Sequence, residues 1–291
     1  AGDVCAVTGL TKTYSGQGLG QEEESETPGL IPVLCYKIIP PDEVNINQAY
    51  LKIKELEEED PTLQLKWNGE KQEITANVMG PIQIQVLKQL IKERFDMDVE
   101  FDSAGILYKE TIGDSVIGVG HFEPLRHYAE VHLLLEPAEP GSGIILDSKV
   151  KENDLAKNWQ RLILTHLAEK EYKGVLTGAP ITDICITIVA GKAHLKHTEG
   201  GDFRQATYRA VRQGLKKAKS VLLEPYYDFT LDVPADCVGR AMNDISRMYG
   251  YTNPPQLSES NATLKGYAPV SEIWNYITEV NEYTHGKGRL T

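Results

Sequence analysis

The feature that most constrains this chain is an order of hydrophobic periods that occurs twice. PVLCYKIIPP, from Pro32, is an apolar run rich in β-branched residues, and in the INQAYLKIKELEEED that follows, Ile46, Tyr50, Ile53 and Leu56 return at helical spacing. Pro61 ends that helix. LQLKW and EITANVMG then alternate as two strands about Asn68-Gly69, and Gly80-Pro81 opens a second helix with Ile84, Leu87, Ile91 and Phe95 on one face. VEFDSAGIL closes the unit. The order β-α-β-β-α-β over about 75 residues is the ferredoxin-like split βαβ arrangement. After Lys219 it returns: SVLLEPYYDFTLDVP reads as a strand, ADCVGRAMNDISRMYG as a helix, a short strand pair ends in NATLKGYAPV, and SEIWNYITEVNEYTHG is a second helix. The sequence stops at GRLT, so the last strand is expected to be missing or barely begun.

Between the repeats, residues 108 to 219 read as a third α/β unit. A strand pair around HYAEVHLLLEP precedes a turn at PGSG and a helix from about Asp154 to Lys170, whose core face is Leu155, Trp159, Leu162, Ile163 and Leu167. A strand TDICITIVAG, a polar loop and a helix from about Phe203 to Lys219 complete it. At the other end, GDVCAVTGL reads as a strand and TYSGQGLGQEEESETPGL as a Gly- and Glu-rich linker. A lone strand cannot bury itself, so the chain is expected to be cut from a longer protein.

Composition narrows the function classes. Of 291 residues, 41% are hydrophobic and 25% charged, which describes an ordinary soluble globular protein. The chain has no run of 18 apolar residues and no basic-then-apolar start, so a cytoplasmic protein without membrane contact is expected. Cys5, Cys35, Cys185 and Cys237 are far apart and form no C-x-x-C pair, so they read as reduced thiols. The net charge of -12 argues against an evenly basic nucleic-acid binder. From Gly191 to Ser220, however, Lys192, Lys196, Arg204, Arg209, Arg212, Lys216, Lys217 and Lys219 face only Glu199 and Asp202. That basic island is either a place to hold phosphates or a solvated helix face.

Chemistry-bearing motifs are few. No G-x-x-x-x-G-K-[ST] loop occurs, so this chain is not expected to hold or hydrolyse GTP, and the glycines of YSGQGLG lead into no helix start that could bind a dinucleotide. His194 and His197 in HLKH lack further ligands of metal-site spacing. On a protruding loop, GKAHLKHTEGGDFR, they either suit contact with RNA phosphates, riboses and unstacked bases, together with Lys192, Leu195, Lys196 and Thr198, or belong to an idle exposed loop. A second loop, GVGHFEPLR from Gly118 to Arg126, carries His121, Phe122 and Arg126; Phe122 either stacks on a base or plugs the local core. No constellation of nucleophile, base or paired carboxylates defines a catalytic site.

Several stretches resemble translational GTPases of the elongation factor G type. EEDPTLQL resembles the helix end of that family's domain III, YKETI at Tyr108 to Ile112 the junction into domain IV, and LEPAEPGSG, KKAKSVLLEPYYDFTLDVP and DISRMYG later positions; GDVCAVTGL resembles the end of the domain II barrel. The resemblance implies domain II end and linker at 1–28, a ferredoxin-like domain III at 29–107, a domain IV like ribosomal S5 domain 2 at 108–219, and a ferredoxin-like domain V at 220–291. Within the family, GSG at Gly141 to Gly143, ITDICI at Ile181 to Ile186 and GGDFR at Gly200 to Arg204 are most similar to the tetracycline-resistance ribosomal protection proteins. His194 departs from them, since it falls where elongation factors place a histidine. The resemblance further implies GTP and Mg in a G domain outside this chain. It also implies a monomer that binds the ribosome, with the domain IV tip loops, which lie side by side, reaching the small-subunit decoding region and domain V near the large-subunit factor site. The alternatives are a translocation factor and a non-enzymatic RNA-binding module.

Overall fold

The computed structural model describes residues 32–69, 72–258 and 260–291 and isolated positions 9, 13, 17, 18 and 20, with the backbone alone at 103 and 104. Apart from those five positions, the opening strand and linker lie outside the described residues. Residues 32–107 and 225–291 belong to one compact unit, and residues 108–224 form another.

The first repeat runs β1 (Leu34–Ile39), α1 (Ile46–Glu59), β2 (Lys66–Asn68), β3 (Glu73–Val78), α2 (Pro81–Phe95) and β4 (Glu100–Ile106). Asn45 starts α1 by accepting from the amides of Asn47 (3.0 Å) and Gln48. A single turn at Pro61–Leu63 ends it, because Pro61 has no amide to extend the ladder. Pro81 stands at the first turn of α2, where its missing amide costs nothing. The sheet order β2-β3-β1-β4 is antiparallel throughout and is the arrangement expected from the sequence. Leu34, Ile38, Ile74, Ala76 and Val78 on its inner face pack on Ile53, Leu56, Leu87 and Ile91 of the helices.

The second unit holds β5 (Lys109–Ile112), β6 (Val116–Phe122), β7 (Ala129–Pro137), β8 (Ile144–Ser148), α3 (Lys157–Ala168), β9 (Ile184–Ala193), α4 (Gly200–Lys217) and β10 (Ser220–Leu223). Its main sheet, β6-β7-β9-β8, is antiparallel except for the β8-β9 pair, which α3 joins as a βαβ crossover. The inward residues of β7 and β9, Val131, Leu133, Leu135, Ile184, Ile186 and Ile188, are fully buried and pack on Ile163, Leu167, Phe203, Ala210 and Val211 of the two helices. Glu110 on β5 is fully buried, yet it is not stranded: Leu176 N (3.0 Å), Thr177 N (2.8 Å), Thr177 Oγ1 (2.9 Å) and Gly178 N (3.1 Å) all donate to its carboxylate. Gly174 passes so close that a Cβ there would lie 2.0 Å from Glu110 Oε2.

The second repeat follows as β11 (Tyr226–Pro234), α5 (Val238–Arg247), β12 (Tyr251–Thr252), β13 (Gln256–Leu257), β14 (Asn261–Pro269), α6 (Val270–Ile273), α7 (Tyr276–Tyr283) and β15 (Arg289–Leu290). Its sheet order, β12-β14-β11-β15 with β13 also on β14, is that of the first repeat. The short closing strand is present as Leu290 opposite Leu231 and Arg289 opposite Asp232. Val270 is buried in the core of the first repeat, and Tyr227 donates to Met79 O at 3.3 Å, so the two repeats share packing.

Three segments depart from the expectations. SVLLEPYYDFTLDVP is two strands, because Pro225 cannot donate to a ladder; β10 pairs with β5 while β11 is central in the last sheet. SEIWNYITEVNEYTHG is two helices, because Asn275 takes a non-helical conformation (φ -111, ψ 4) at the start of α7, a position that suits its short polar side chain. IILDS after the PGSG turn forms β8, which alternation alone hides, since its outward positions Ile145 and Asp147 mix apolar with charged.

Candidate nucleic-acid interface

The scaffold of the candidate interface is the contact of β6 with α4. β6 is an edge strand, and Gly118 and Gly120 let its backbone lie directly on the helix: a Cβ at Gly118 would sit 2.2 Å from Ala210 O, and one at Gly120 would sit 1.8 Å from Ala206 O. Side chains spaced by four on α4 then complete the edge of the strand. Lys217 Nζ donates to Ile117 O (3.0 Å), the Val119 amide donates to Gln213 Oε1 (2.7 Å), and Arg209 donates to His121 O (2.8 Å). Every second residue of β6 meets every fourth residue of α4, which are the two natural periods of strand and helix. The edge is closed to further strand pairing.

At the far end of this scaffold β9 leaves the sheet and turns back into α4. His197 N and Thr198 N both donate to His194 O, at 3.2 and 3.1 Å, closing one tight turn. Thr198 Oγ1 accepts from His194 N (2.7 Å) and donates to Tyr128 O (2.6 Å), and Tyr128 N donates to His197 O (2.7 Å). The turn is thereby pinned to the strand beside it. Its side chains stay outside: His194, Leu195, Lys196 and His197 are exposed, Leu195 at 106% of its reference area. The two imidazoles stack with centroids 4.6 Å apart. His194 Nδ1 accepts from Lys196 N at 3.3 Å, which leaves Nε2 as the ring nitrogen available to a ligand. Among the described residues, Lys192, Lys196 and Arg126 have no ion-pair partner.

The second expected loop is shorter than the sequence suggested. Gly118 to Phe122 belong to β6, because the paired register His121 to Glu130 and Phe122 to Ala129 continues to its end; only residues 123 to 128 form the connection. It stands next to the His194 turn through the Tyr128 hydrogen bonds and the Ala129 to Ala193 pairing. His121 is exposed, with Nε2 3.1 Å from Glu123 Oε2, and edge-on to the Tyr128 ring. Arg126 is exposed with φ 65, a left-handed turn position. Phe122 is half-buried: it packs on the core, and the Arg209 guanidinium lies 5.0 Å over its ring. Of the two readings of Phe122, this geometry fits the core plug. Behind the connection, His127 Nδ1 meets the buried Asp202 at 2.9 Å, and Asp202 also accepts from Glu199 N (2.9 Å) at the start of α4.

The basic island is not one patch. Arg209 and Lys217 are occupied by β6 carbonyls, and Arg204 pairs with Glu169 at 3.1 Å. Tyr128, which holds the tip, was not singled out from the sequence, since nothing in HYAEVH marks a brace formed across 70 residues. Glu130 beside it accepts from His132 (2.7 Å) and Tyr128 (2.9 Å), and these bonds, the His132 one first, hold its carboxyl below the usual range. Among the described residues no three His, Cys, Asp or Glu side chains converge as a metal-ligand group, and no helix is long and apolar enough to cross a membrane.

Comparisons with known proteins agree with this architecture along almost the whole chain. Residues 31–103 match the family model of elongation factor G domain III, residues 105–219 that of elongation factor G domain IV, and residues 221–291 that of the elongation factor G C-terminus. The chain is 26% identical over 304 residues to elongation factor G of Granulibacter bethesdensis and 25% identical over 299 residues to elongation factor G 1 of Synechocystis; in both, 100% of this chain aligns with 43% of the relative. A crystal structure from Thermus thermophilus, 24% identical, shares the fold with a TM-score of 0.69 over 94% of this chain and 42% of that one. The chain thus spans less than half the length of the relatives it matches. In sequence order, its three segments match the models of domain III, domain IV and the C-terminus of elongation factor G.

Proposed function

We propose that this chain is the ribosome-contacting C-terminal part of a cytoplasmic translational GTPase, whose G domain with GTP and Mg lies outside it, and that the His194 to Thr198 turn touches small-subunit RNA at the decoding region. The observation that carries the reading is the tip itself. It is a projecting turn held by backbone and Thr198 hydrogen bonds to Tyr128, with two stacked imidazoles and the cations Lys192 and Lys196 left for a partner. Work done there is mechanical: the tip meets phosphates and unstacked bases, and a rigid α/β body carries the force.

The test extends the chain to a natural N-terminus containing a G domain and pellets it with ribosomes in the presence of a nonhydrolysable GTP analogue. Association is expected, and its absence refutes the proposal. Replacing His194, Lys196 and His197 together by alanine is expected to change folding stability by no more than about 0.5 kcal/mol, because these side chains are exposed, while impairing action on the ribosome. Unchanged action removes the turn from the mechanism.

Two versions of the proposal are supported by different residues. The GSG, ITDICI and GGDFR stretches support release of tetracycline from ribosomal RNA. His194 and the elongation factor G relatives support movement of tRNA and mRNA. Tetracycline tolerance of cells expressing the full-length protein, with the triple-alanine variant as control, separates them: a rise in tolerance that the variant abolishes selects protection, and no rise selects translocation.

A further inference from the structure

A cleft of about 780 Å³ opens between α4 and residues 170–175, the segment that follows α3. Lys170, Lys173, Arg209, Arg212 and Lys216 line it, and Glu171 is the single acid among its lining residues. Arg209 is already engaged by His121 O and the Phe122 ring. The other four cations are exposed, and among the described residues none has an ion-pair partner. The nearby carboxylate of Glu169 does not neutralise them, because it already serves Arg204 (3.1 Å), His166 (2.9 Å) and the Tyr208 hydroxyl (2.7 Å). Lys170 Nζ stands 4.4 Å over the Tyr208 ring, which fixes its charge at the rim.

Four unpaired cations in one concavity repel one another, and an anion that enters relieves that repulsion. The spacing favours a polymer over a single ion. Arg212 and Lys216 stand four residues apart on one helix face, and four residues at about 1.5 Å each extend about 6 Å, the rise of roughly two phosphates on one strand, with Lys170 and Lys173 across the cleft.

We propose that this cleft binds the phosphodiester backbone of RNA as a second contact surface of the domain, separate from the His194 turn. The choice of RNA over another polyanion rests on the function proposed above. The contact is sequence-independent, because Lys and Arg on phosphates position a strand without reading its bases.

The experiment measures binding of a fluorescent single-stranded RNA to the 291-residue chain by anisotropy across a salt series. Each phosphate contact contributes about 0.7 to the slope of log K against log salt, so K170Q/K173Q/R212Q/K216Q is expected to lower the slope by about 3. The charge-retaining variant K170R/K173R/R212K/K216R is expected to keep it, and circular dichroism checks that both are folded. H194A/K196A/H197A is expected to change the slope by no more than about 1, because it removes one permanent charge. An unchanged slope in the glutamine variant overturns the proposal, as does polyglutamate displacing RNA at equal charge concentration, or no saturable RNA binding by the parent chain. The two proposals separate cleanly: an unchanged slope in the glutamine variant with intact ribosome pelleting strikes only the cleft, and a lowered slope without pelleting strikes only the function proposed above.

Discussion

Substituting Gly120 by alanine tests the scaffold that carries the tip. A Cβ at this position would meet Ala206 O at 1.8 Å and Ala210 N at 2.6 Å, against 3.4–4 Å for ordinary contact. Both obstacles are helix backbone, so no rotamer change relieves them, and β6 and α4 must separate by more than an ångström. Separation stretches the three bonds that close the strand edge, Lys217 to Ile117 O, Val119 N to Gln213 and Arg209 to His121 O. Forced overpacking costs about 1–3 kcal/mol, and the three hydrogen bonds, stretched rather than lost, together add about 2 kcal/mol, so a loss of about 3–5 kcal/mol is expected. With a urea dependence near 2 kcal/mol/M, the unfolding midpoint of this unit falls by about 1.5–2.5 M. Trp159 packs against the core of the unit and reports on it by fluorescence once Trp67 and Trp274 are replaced by phenylalanine. Gly201 is the internal control: a Cβ there meets nothing within 4 Å, and G201A is expected to be neutral or to stabilise by up to about 1 kcal/mol. A G120A midpoint within about 0.3 M of the parent refutes the close approach as a constraint.

Burial pushes the Glu110 carboxyl up, but the amides of Leu176 and Thr177 and the Thr177 hydroxyl pull it further down, and its value lies below the ordinary range. A depressed carboxylate stabilises the fold above its unfolded value of about 4.3 and loses that contribution as pH falls through its folded value; E110Q is therefore expected to cost about 1–3 kcal/mol at neutral pH in urea titrations, with the gap to the parent closing below about pH 4. Gln213→Ala removes the acceptor of Val119 N, and exchange of that amide measured by NMR is expected to accelerate about tenfold, while Ile245 in the C-terminal repeat is unaffected.

Period and punctuation in the sequence carried most of the fold. The first repeat was largely legible because its strands and helices keep single periods and Pro40-Pro41, Pro61, Asn68-Gly69 and Gly80-Pro81 separate most of them. The second was less so, for its errors fall where local signals conflict: apolar β-branched residues run on both sides of Pro225, and Asn275 sits inside an otherwise helical pattern. The tip was legible as an exposed polar loop, since HLKHTEGG offers nothing to bury. Its bracing was not, because Tyr128 and Thr198 meet only after β7 and β9 have paired. Glu110 was equally invisible as a brace. Its four donors lie about 66 to 68 residues away in sequence, and a buried acid held by backbone amides leaves no side-chain pattern.

The division of charge on α4 would let an acidic chain hold a polyanion at chosen places. A helix turns about 100° per residue, so cations that lie together in sequence point to different surroundings. Arg209 and Lys217 face β6 and are held by its carbonyls, Arg204 is held by Glu169, and Arg212 and Lys216 line the cleft with Lys170 and Lys173. Of the eight cations read as one island, Arg212 and Lys216 at the cleft, Lys192 and Lys196 at the tip, and Lys219 have no ion-pair partner among the described residues. With -12 net charge over the whole chain, attraction to a polyanion is favoured only where unpaired cations cluster, as at the cleft and the tip. Both are anchored to α4, the cleft along its side and the tip at its start, so a strand held at one would be fixed in register against the other by the rigidity of a single helix.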